Sequence, residues 1–395
     1  MTRRTERIWL SPNYNLMQYS HKSKNLFNHA NYIFKQQLQN SYFTSAYELM
    51  DMLRHHPTYT QLPSHSAQQT IKFLVKSWKG YFKALKSYKL NPEKFQEIPK
   101  PPKYKRKNGF HILYFTSNQV RIDEGYVIFP KLIGLKVKTR LNVLIKQARI
   151  IPKGSSFLLE LVYDRKSNAL RPSKNIMAID FGIDNIIAAV SNVTQPFLIK
   201  GKVLKSVNQL FNKKKAKLTS IYKLQNPGLK YLPYGKRMKH LLDKRYKRVE
   251  DLLHKISRAF VNYCISNNID TVVIGYNEGW KQQVKMGKKN NQNFVNIPFL
   301  NLMRKIEYKS ADVGIRIIRN EESYTSKCSF LDNEEIRKHS SYMGKRVKRG
   351  VFQSSTGCRI NADFNGAGNI GRKVFPVEFT YGIVDVVSDP VCMII

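Results

Sequence analysis

The segment that most constrains the fold runs from Ile176 to Val190. An apolar run ends in Asp180, Gly182 permits a tight turn, and a second apolar run follows. Two such runs around a glycine turn predict antiparallel strands in a buried sheet, with Asp180 presented from it. An isolated aspartate at a turn more often hydrogen-bonds to turn amides than takes part in chemistry. A functional role for Asp180 therefore depends on partners elsewhere in the chain.

Two further carboxylates occupy comparable positions. Glu278 follows the β-branched run 269–275, which predicts a buried strand parallel to the first. Asp363 begins a segment of small residues, which predicts a helix that can approach a sheet closely. Carboxylates held together repel one another unless divalent cations neutralise them. We therefore predict that Asp180, Glu278 and Asp363 bind two Mg²⁺ ions for phosphodiester cleavage, with water as the nucleophile.

The charge of the chain indicates a polyanionic partner. Lys and Arg total 68 against 27 Asp and Glu, a formal net charge of +41 over 395 residues. A basic RNA-binding protein would explain this excess but would leave the three carboxylates unexplained. The basic helical segments provide four candidate nucleic-acid contacts, which are Lys76, Lys205, Lys213 and Arg245.

The sequence predicts neither a membrane span nor a signal peptide, since no run of 18 apolar residues is present. The four cysteines show no disulfide framework, which suits a reducing compartment. We therefore expect a cytoplasmic protein without a membrane partner. The sequence identifies no protein partner.

The N-terminal part combines strands with helices. A strand at 1–12 precedes a segment at 13–95 with apolar residues at helical spacing. After a Pro/Lys-rich linker signal at 91–108, short β-rich runs at 96–170 predict a small antiparallel barrel. If the first strand joins this barrel, the helices form an insert within it.

The carboxylates lie in segments that resemble the three RuvC motifs of the TnpB proteins of insertion sequences, the prokaryotic transposon relatives of type V CRISPR nucleases. These segments are 178–185, 275–282 and 361–370. The resemblance covers about Asn175 to Arg372 and, across the N-terminal half, rests on layout. It implies that Asp180, Glu278 and Asp363 are the catalytic metal ligands of an RNA-guided DNA endonuclease.

The resemblance also implies a fold. The chain would have mixed α/β structure, with an N-terminal wedge barrel interrupted by a helical recognition insert and an RNase H-like RuvC domain in the C-terminal half. The C-terminal half would divide into RuvC domain at 171–320 and 359–375, a degenerate zinc-ribbon-like lobe at 321–358, and a tail at 376–395. A guide RNA from a transposon end would pair with target DNA, next to a short motif read by the protein.

Other functions remain to be compared with this one. A compact type V CRISPR-like effector with a separate guide would share the same motifs. A guided DNA-binding repressor without cleavage would be expected to lack a carboxylate, and all three are present. Strand-transfer transposases with this sheet more often carry Asp, Asp and Glu in chain order, whereas this chain carries Asp, Glu and Asp.

The lobe at 321–358 departs from the family pattern. A structural zinc site needs four ligands, which relatives supply as two Cys-x-x-Cys pairs. Here only Cys328 and Cys358 are present, with His339 at irregular spacing. We therefore expect no zinc and a lobe held by aromatic packing. The basic run 346–349 would contact nucleic acid or lie in solvent.

Overall fold

The computed structural model describes residues 2–166, 168–170, 174–229, 232, 234–277, 287–379 and 391–393. It contains two compact units, Met1–Arg165 and Lys166–Ile395, which we call the N-terminal and C-terminal units. No helix within the described ranges is both long and apolar enough to cross a membrane.

The N-terminal unit opens with a strand and four helices. These are β1 (Thr2–Leu10), α1 (Tyr14–Gln39), α2 (Ala46–Leu53), α3 (Pro57–Thr60) and α4 (Ser64–Leu90). The Asn13 side chain accepts a hydrogen bond from the Leu16 amide at the start of α1. Helix α2 begins with a capping box between Ser45 and Glu48. The apolar faces of these helices form one buried core with the strands that follow.

Six strands complete the N-terminal unit. They are β2 (Leu113–Thr116), β3 (Arg121–Asp123), β4 (Tyr126–Ile128), β5 (Lys136–Lys138), β6 (Ile145–Lys153) and β7 (Ser156–Arg165). Strand β1 pairs antiparallel with β7 in a sheet of order β1-β7-β6-β2, so α1–α4 are inserted between strands of one sheet. The prediction of one closed barrel is wrong for the described strands, because β3, β4 and β5 form a separate sheet. Their three-residue length allows few ladder hydrogen bonds, and the two sheets share a core in which the Phe115 and Phe129 rings lie 5.0 Å apart.

The segment 91–108, predicted as a linker, is held against α1 by side-chain hydrogen bonds. The Asn28 amide donates to the Lys105 carbonyl at 2.9 Å and accepts from the Lys105 amide at 2.7 Å. Lys24 Nζ donates to the Lys107 carbonyl at 2.6 Å. Prolines lack an amide N–H and limit ladder pairing, so polar side chains of α1 bind this backbone instead.

The C-terminal unit is built on a six-stranded sheet. Its elements are β8 (Ile176–Asp180), β9 (Asn185–Ser191), β10 (Phe197–Lys200), α5 (Lys202–Gln225), α6 (Lys236–Ser266), β11 (Thr271–Gly275), α7 (Lys288–Asn296), α8 (Phe299–Ala311), β12 (Arg316–Asn320), β13 (Lys345–Lys348), β14 (Val351–Gln353), β15 (Arg359–Asn361), α9 (Ala362–Val374) and β16 (Val391–Met393). The sheet order is β12-β11-β8-β9-β10-β16, and β13-β14-β15 form a separate small sheet.

The strand directions agree with those that the sequence predicts for 176–190 and 269–275. Strands β8 and β9 are antiparallel, whereas β11 is parallel to β8 and β12 is parallel to β11. The end of the tail adds β16, which pairs parallel with β10 and for which the sequence predicted no element.

Both faces of the sheet are covered. Met177 and Ile179 of β8 pack in a core that includes α6 and α8 residues, whereas Ile176 and Ala178 pack in a second core with α9 residues. This alternation follows from the opposite directions of successive strand side chains. Helix α9 therefore lies against the same face of the large sheet as residues of the lobe at 321–358, such as Phe330 and Phe352.

Candidate active site

Three parallel strands end at one edge of the large sheet. Asp180 is the last residue of β8, and the register pairs Ile179 with Ile274. Gly275 in turn pairs with Asn320, the last residue of β12. Because the carboxyl ends of parallel strands meet at one edge, the described residues that directly follow β11 and β12 lie near Asp180.

Helix α9 brings Asp363 to the same edge. The Asn361 side chain accepts the Asp363 amide N–H at 2.9 Å, which begins the helix with Asp363 in its first turn. One turn later, a Cβ added to Gly366 would lie 2.9 Å from Asp180 Oδ2. The glycine therefore allows the close approach of helix and strand that the small-residue segment predicted.

Glu322 is the described carboxylate with the largest electrostatic effect on Asp180. Burial raises the pKa of Asp180 well above its ordinary value, and the charges of Glu322 and then Asp363 raise it further. Burial also raises the pKa of Glu322. A Cβ on Gly275 would lie 2.9 Å from Glu322 Oε2, and Asn277 Oδ1 accepts the Glu322 amide N–H at 3.1 Å. The end of β11 thus fixes the position of Glu322.

Glu278, the second carboxylate chosen from the sequence, lies outside the described residues, which stop at Asn277 and resume at Gly287. Sequence reasoning missed Glu322. The signal that selected Glu278, a carboxylate shortly after a predicted strand, is also present at Glu322, which follows the apolar run 315–318.

A chain of polar contacts orients Asp363. Asn185 Nδ2 donates to Asp363 Oδ2 at 2.7 Å, and Lys200 Nζ donates to Asn185 Oδ1 at 3.1 Å. The lysine can only donate, so it binds the amide oxygen and turns the amide NH₂ towards Asp363. Asn185 is therefore a positioning residue for this carboxylate.

Arginines of the small sheet lie beside the carboxylates. Arg346 Nη2 is 3.8 Å from Asp363 Oδ1, and Arg349 donates to Asp184, which also accepts from Lys205 Nζ at 2.7 Å. Burial opposes ionisation of Asp184, but the hydrogen bond and charge of Lys205, together with Arg349, lower its pKa. Asp184, Arg346, Arg349 and Asp363 line a cavity of about 510 Å³. The basic run 346–349 thus lies beside Asp363.

The residues fit Mg²⁺ by donor type and charge. Carboxylate oxygens are the ligands that Mg²⁺ prefers, and burial, followed by neighbouring carboxylate charge, raises the pKa of both Asp180 and Glu322. Among the residues that the structure describes, no three His, Cys, Asp or Glu side chains already surround a common metal position. The described carboxylates are neighbours rather than a preformed ligand cage.

The four candidate nucleic-acid contacts differ in their surroundings. Lys76 and Lys213 are exposed on α4 and α5. Lys205 is paired with Asp184 across 2.7 Å. The half-buried guanidinium of Arg245 lies 4.9 Å above the Phe211 ring, and it donates to the Asn208 side chain and to the Asn296 carbonyl. Arg245 therefore joins α5 to the end of α7.

The lobe at 321–358 is joined to α9 by hydrogen bonds as well as by packing. Glu334 accepts two backbone amides of the lobe, at 2.7 and 3.0 Å. From α9, Asn369 Nδ2 donates to the Cys328 carbonyl at 2.7 Å. Phe330 and Phe352 are buried in the adjoining core. Polar contacts to α9 thus supplement the aromatic packing expected from the sequence.

The three zinc-ligand candidates of the lobe have separate surroundings. The buried Cys328 thiol lies 3.5 Å from the Arg337 carbonyl, and Cys358 is exposed between β14 and β15. His339 Nε2 lies 2.7 Å from the Glu335 carbonyl.

Two family models match the chain. OrfB_IS605, described as a probable transposase, matches residues 160–281. A model described as the Cas12f1-like TNB domain matches residues 299–370. The first region contains Asp180 and Glu278, and the second contains Glu322 and Asp363.

Three curated proteins are similar in sequence. The CRISPR-associated endodeoxyribonuclease Cas12f1 of Sulfoacidibacillus thermotolerans is 30% identical over 149 residues, which cover 34% of this chain and 32% of that protein. The TnpB-like protein ORF457 of Acidianus two-tailed virus is 25% identical over 240 residues, covering 59% and 48%. Cas12f2 of Micrarchaeota archaeon (strain CG1_02_47_40) is 25% identical over 232 residues, covering 55% and 40%. The matched region spans less than half the length of each of these relatives.

Two solved structures are also similar. A cryo-EM structure of a Cas12f1–sgRNA–target DNA complex gives a TM-score of 0.38 at 17% identity, covering 93% of this chain and 98% of that chain. The structure of the mini-RNA-guided endonuclease CRISPR-Cas_phi3 gives 0.48 at 11% identity, covering 96% and 92%.

Proposed function

We propose that this chain, a relative of the TnpB proteins and of the type V CRISPR effectors, is an RNA-guided DNA endonuclease. The observation that carries its chemistry is the cluster of Asp180, Glu322 and Asp363, in which burial and neighbouring negative charge raise the pKa of Asp180. The names of two relatives, CRISPR-associated endodeoxyribonucleases, support DNA as the substrate.

Asp180, Glu278 and Asp363 would hold the divalent cations, and Glu322 beside Asp180 is a further candidate ligand. Two bound Mg²⁺ ions would supply activation of a water molecule and neutralisation of the charge that develops on the phosphate. The C-terminal unit would thus act as the RuvC nuclease domain with its lobe. The N-terminal unit would provide the wedge and recognition segments.

The residues around the carboxylates would orient ligands and substrate. Asn185 keeps Asp363 turned towards the edge of the sheet through its 2.7 Å hydrogen bond. A phosphodiester beside Asp363 would meet the Arg346 guanidinium, whose planar donors match phosphate oxygens. Arg349 and Lys205 both bind Asp184, and the contact from Arg349 holds the basic run 346–349 beside the cavity that Asp184 and Asp363 line.

The nucleic-acid partners would be a guide RNA from a transposon end and a DNA target beside a short motif. Lys76 and Lys213 are exposed and would contact phosphates, whose neutralisation by lysine supplies much of the affinity of basic proteins for nucleic acid. We expect the protein to co-purify with a discrete RNA when it is expressed beside its native flanking DNA.

The test is cleavage of DNA that matches this co-purified RNA. We expect cleavage with Mg²⁺ and none after EDTA treatment. Glu322→Gln removes one negative charge with little change in shape and should slow cleavage by about 100-fold or more. Glu335→Gln is the matched control, because Glu335 is 70% exposed and bound to Arg337. Its cleavage rate should equal that of the wild type.

Each outcome assigns the ligands differently. Wild-type cleavage by Glu322→Gln together with inactive Glu278→Gln would exclude Glu322 from the ligands and leave Glu278 with the two aspartates. Unchanged cleavage by Asp180→Ala would refute the carboxylate site. Guided DNA binding without cleavage by the wild type would favour the repressor, and cleavage by RNA-free protein would refute guidance.

A further inference from the structure

The N-terminal unit contains a cleft that the proposed cleavage chemistry does not use. It has a volume of about 540 Å³, and its lining includes Tyr14, Met17, Lys22 and Asn25 of α1 together with Gln61 and Phe110. The α1 residues recur at spacings of three to five, so they lie along one face of the helix. The cleft is large enough for a small organic ligand.

Aromatic and apolar side chains around this cleft are unusually exposed. Tyr14 is 72% exposed, Met17 42% and Phe110 39%. Exposed rings that border a concave surface are a common feature of binding sites rather than of cores. In single-strand nucleic-acid binding proteins, such rings serve as platforms on which bases stack.

The polar groups of the cleft suit a nucleotide. Within the described part of the chain, the side-chain amides of Asn25 and Gln61 make no hydrogen bond, so both keep a donor and an acceptor available. Paired donors and acceptors can bind the edge of an unpaired base. Lys22 adds a positive charge for a phosphate, in a chain with a net charge of +41.

We propose that this cleft binds an unpaired nucleotide of a single-stranded nucleic acid. Its base would stack on Tyr14 or Phe110, and its phosphate would lie near Lys22. This inference rests on the proposed function, because the guide RNA and the opened DNA are the sources of such a strand. The contacts themselves involve none of the carboxylate-site residues.

The experiment measures binding of fluorescent single strands to the full-length protein, freed of RNA and kept in EDTA. The probes are oligouridylate, oligothymidylate and an abasic deoxyribose-phosphate oligomer of equal length. Tyr14→Ala should weaken binding of the two base-containing strands by about tenfold, as expected for one lost stacking contact. Binding of the abasic oligomer should not change, because its phosphate charge is the same. Tyr14→Phe, which keeps the ring, should bind like the wild type.

Tyr32→Ala is the matched control. Tyr32 lies on the same helix, is 50% exposed and accepts a hydrogen bond from Gln36, as Tyr14 does from Gln18. It does not line the cleft, so we expect wild-type binding. A second readout is photocrosslinking of thio-substituted strands, followed by mass spectrometry, which should identify peptides that contain residues 14–25 or 108–110.

Three results would overturn the proposal. The first is that Tyr14→Ala loses as much affinity for the abasic oligomer as for the base-containing strands. The second is that Tyr32→Ala loses as much affinity as Tyr14→Ala. The third is that crosslinks form only outside both peptides. Tighter binding of oligouridylate in the cleft would assign it to RNA, and tighter binding of oligothymidylate would assign it to DNA. The assay contains no Mg²⁺ and should give the same result in Asp180→Ala. Failure of cleavage and failure of this cleft are therefore separate outcomes.

Discussion

Gly366→Ala is a substitution that should separate the stability of the protein from its activity. The new Cβ would lie 2.9 Å from Asp180 Oδ2, whereas ordinary contacts begin at 3.4 Å. Either the carboxylate or helix α9 must therefore move by 3.4 − 2.9 = 0.5 Å or more. The Asp180 carboxylate is the end of a flexible side chain and should give way first.

The two effects of this substitution have opposite signs. Alanine within a helix is favoured over glycine by about 1 kcal/mol, so the free energy of unfolding should stay equal or rise. The displaced carboxylate, however, is a proposed metal ligand. Misplacement of a reacting group by about 1 Å can cost on the order of 100-fold in rate, so a shift half as large should cost about tenfold.

The assay combines single-turnover DNA cleavage over a range of Mg²⁺ concentrations with denaturant unfolding. Gly80→Ala is the control, because it lies within α4 and its new Cβ would meet no atom within 4 Å. It should gain stability and cleave at the wild-type rate. Wild-type cleavage by Gly366→Ala would refute the argument, and a parallel loss of stability and cleavage would show that the backbone, not the carboxylate, absorbs the clash.

Three further outcomes follow from single contacts. Asn185→Ala removes the donor to Asp363 and should raise the Mg²⁺ concentration for half-maximal cleavage about tenfold, which a Mg²⁺ titration measures. Burial, and then the charge of Lys105, lowers the pKa of His111 to about 3 from 6.5. The contribution of neutral His111 to the free energy of unfolding is complete above pH 6.5 and falls as the pH is lowered, by about 2 kcal/mol at pH 5. In urea unfolding, His111→Gln should lack this pH-dependent part of the free energy of unfolding. Asn369→Ala removes the side-chain donor to the Thr325 carbonyl and one of two donors to the Cys328 carbonyl, which Asn365 also binds, so hydrogen exchange at 325–330 should become faster than in the wild type, by an amount that corresponds to about 1 kcal/mol.

Sequence patterns were sufficient where the local signal and the tertiary packing agree. The apolar runs on either side of Gly182 form β8 and β9, and the small residues after Asp363 form α9 against the sheet. In both cases neighbouring residues carry the whole signal. The prediction of a closed barrel was wrong because the alternation of apolar and polar residues identifies strands but does not specify which strand edges pair. The sequence indicated only that the first strand could join the later ones, and the structure gives its partner as β7.

Residues whose role depends on distant partners were harder to interpret. Composition marked the segment 91–108 as a linker, but its anchors, such as Asn28, lie far away in sequence on α1. Charge marked Arg245 as a candidate phosphate contact, yet its guanidinium is engaged by Asn208 and by a backbone carbonyl. A sequence shows how many charges a helix carries. Only the packing shows which of them are already paired.

The two glutamates after β11 and β12 present the same problem at the active site. A carboxylate at the end of a buried parallel strand is a good sign of function, but the sign applies equally to Glu278 and Glu322. Strand β11 lies between β8 and β12, and Gly275 at its end leaves room for the Glu322 side chain. After burial, the charge of Glu322 is the next cause that raises the pKa of Asp180, so Glu322 lies near that carboxylate. The order Asp, Glu, Asp along the chain is preserved with either glutamate. The resemblance to a RuvC motif selects Glu278, whereas the packing of the described residues adds Glu322 beside Asp180.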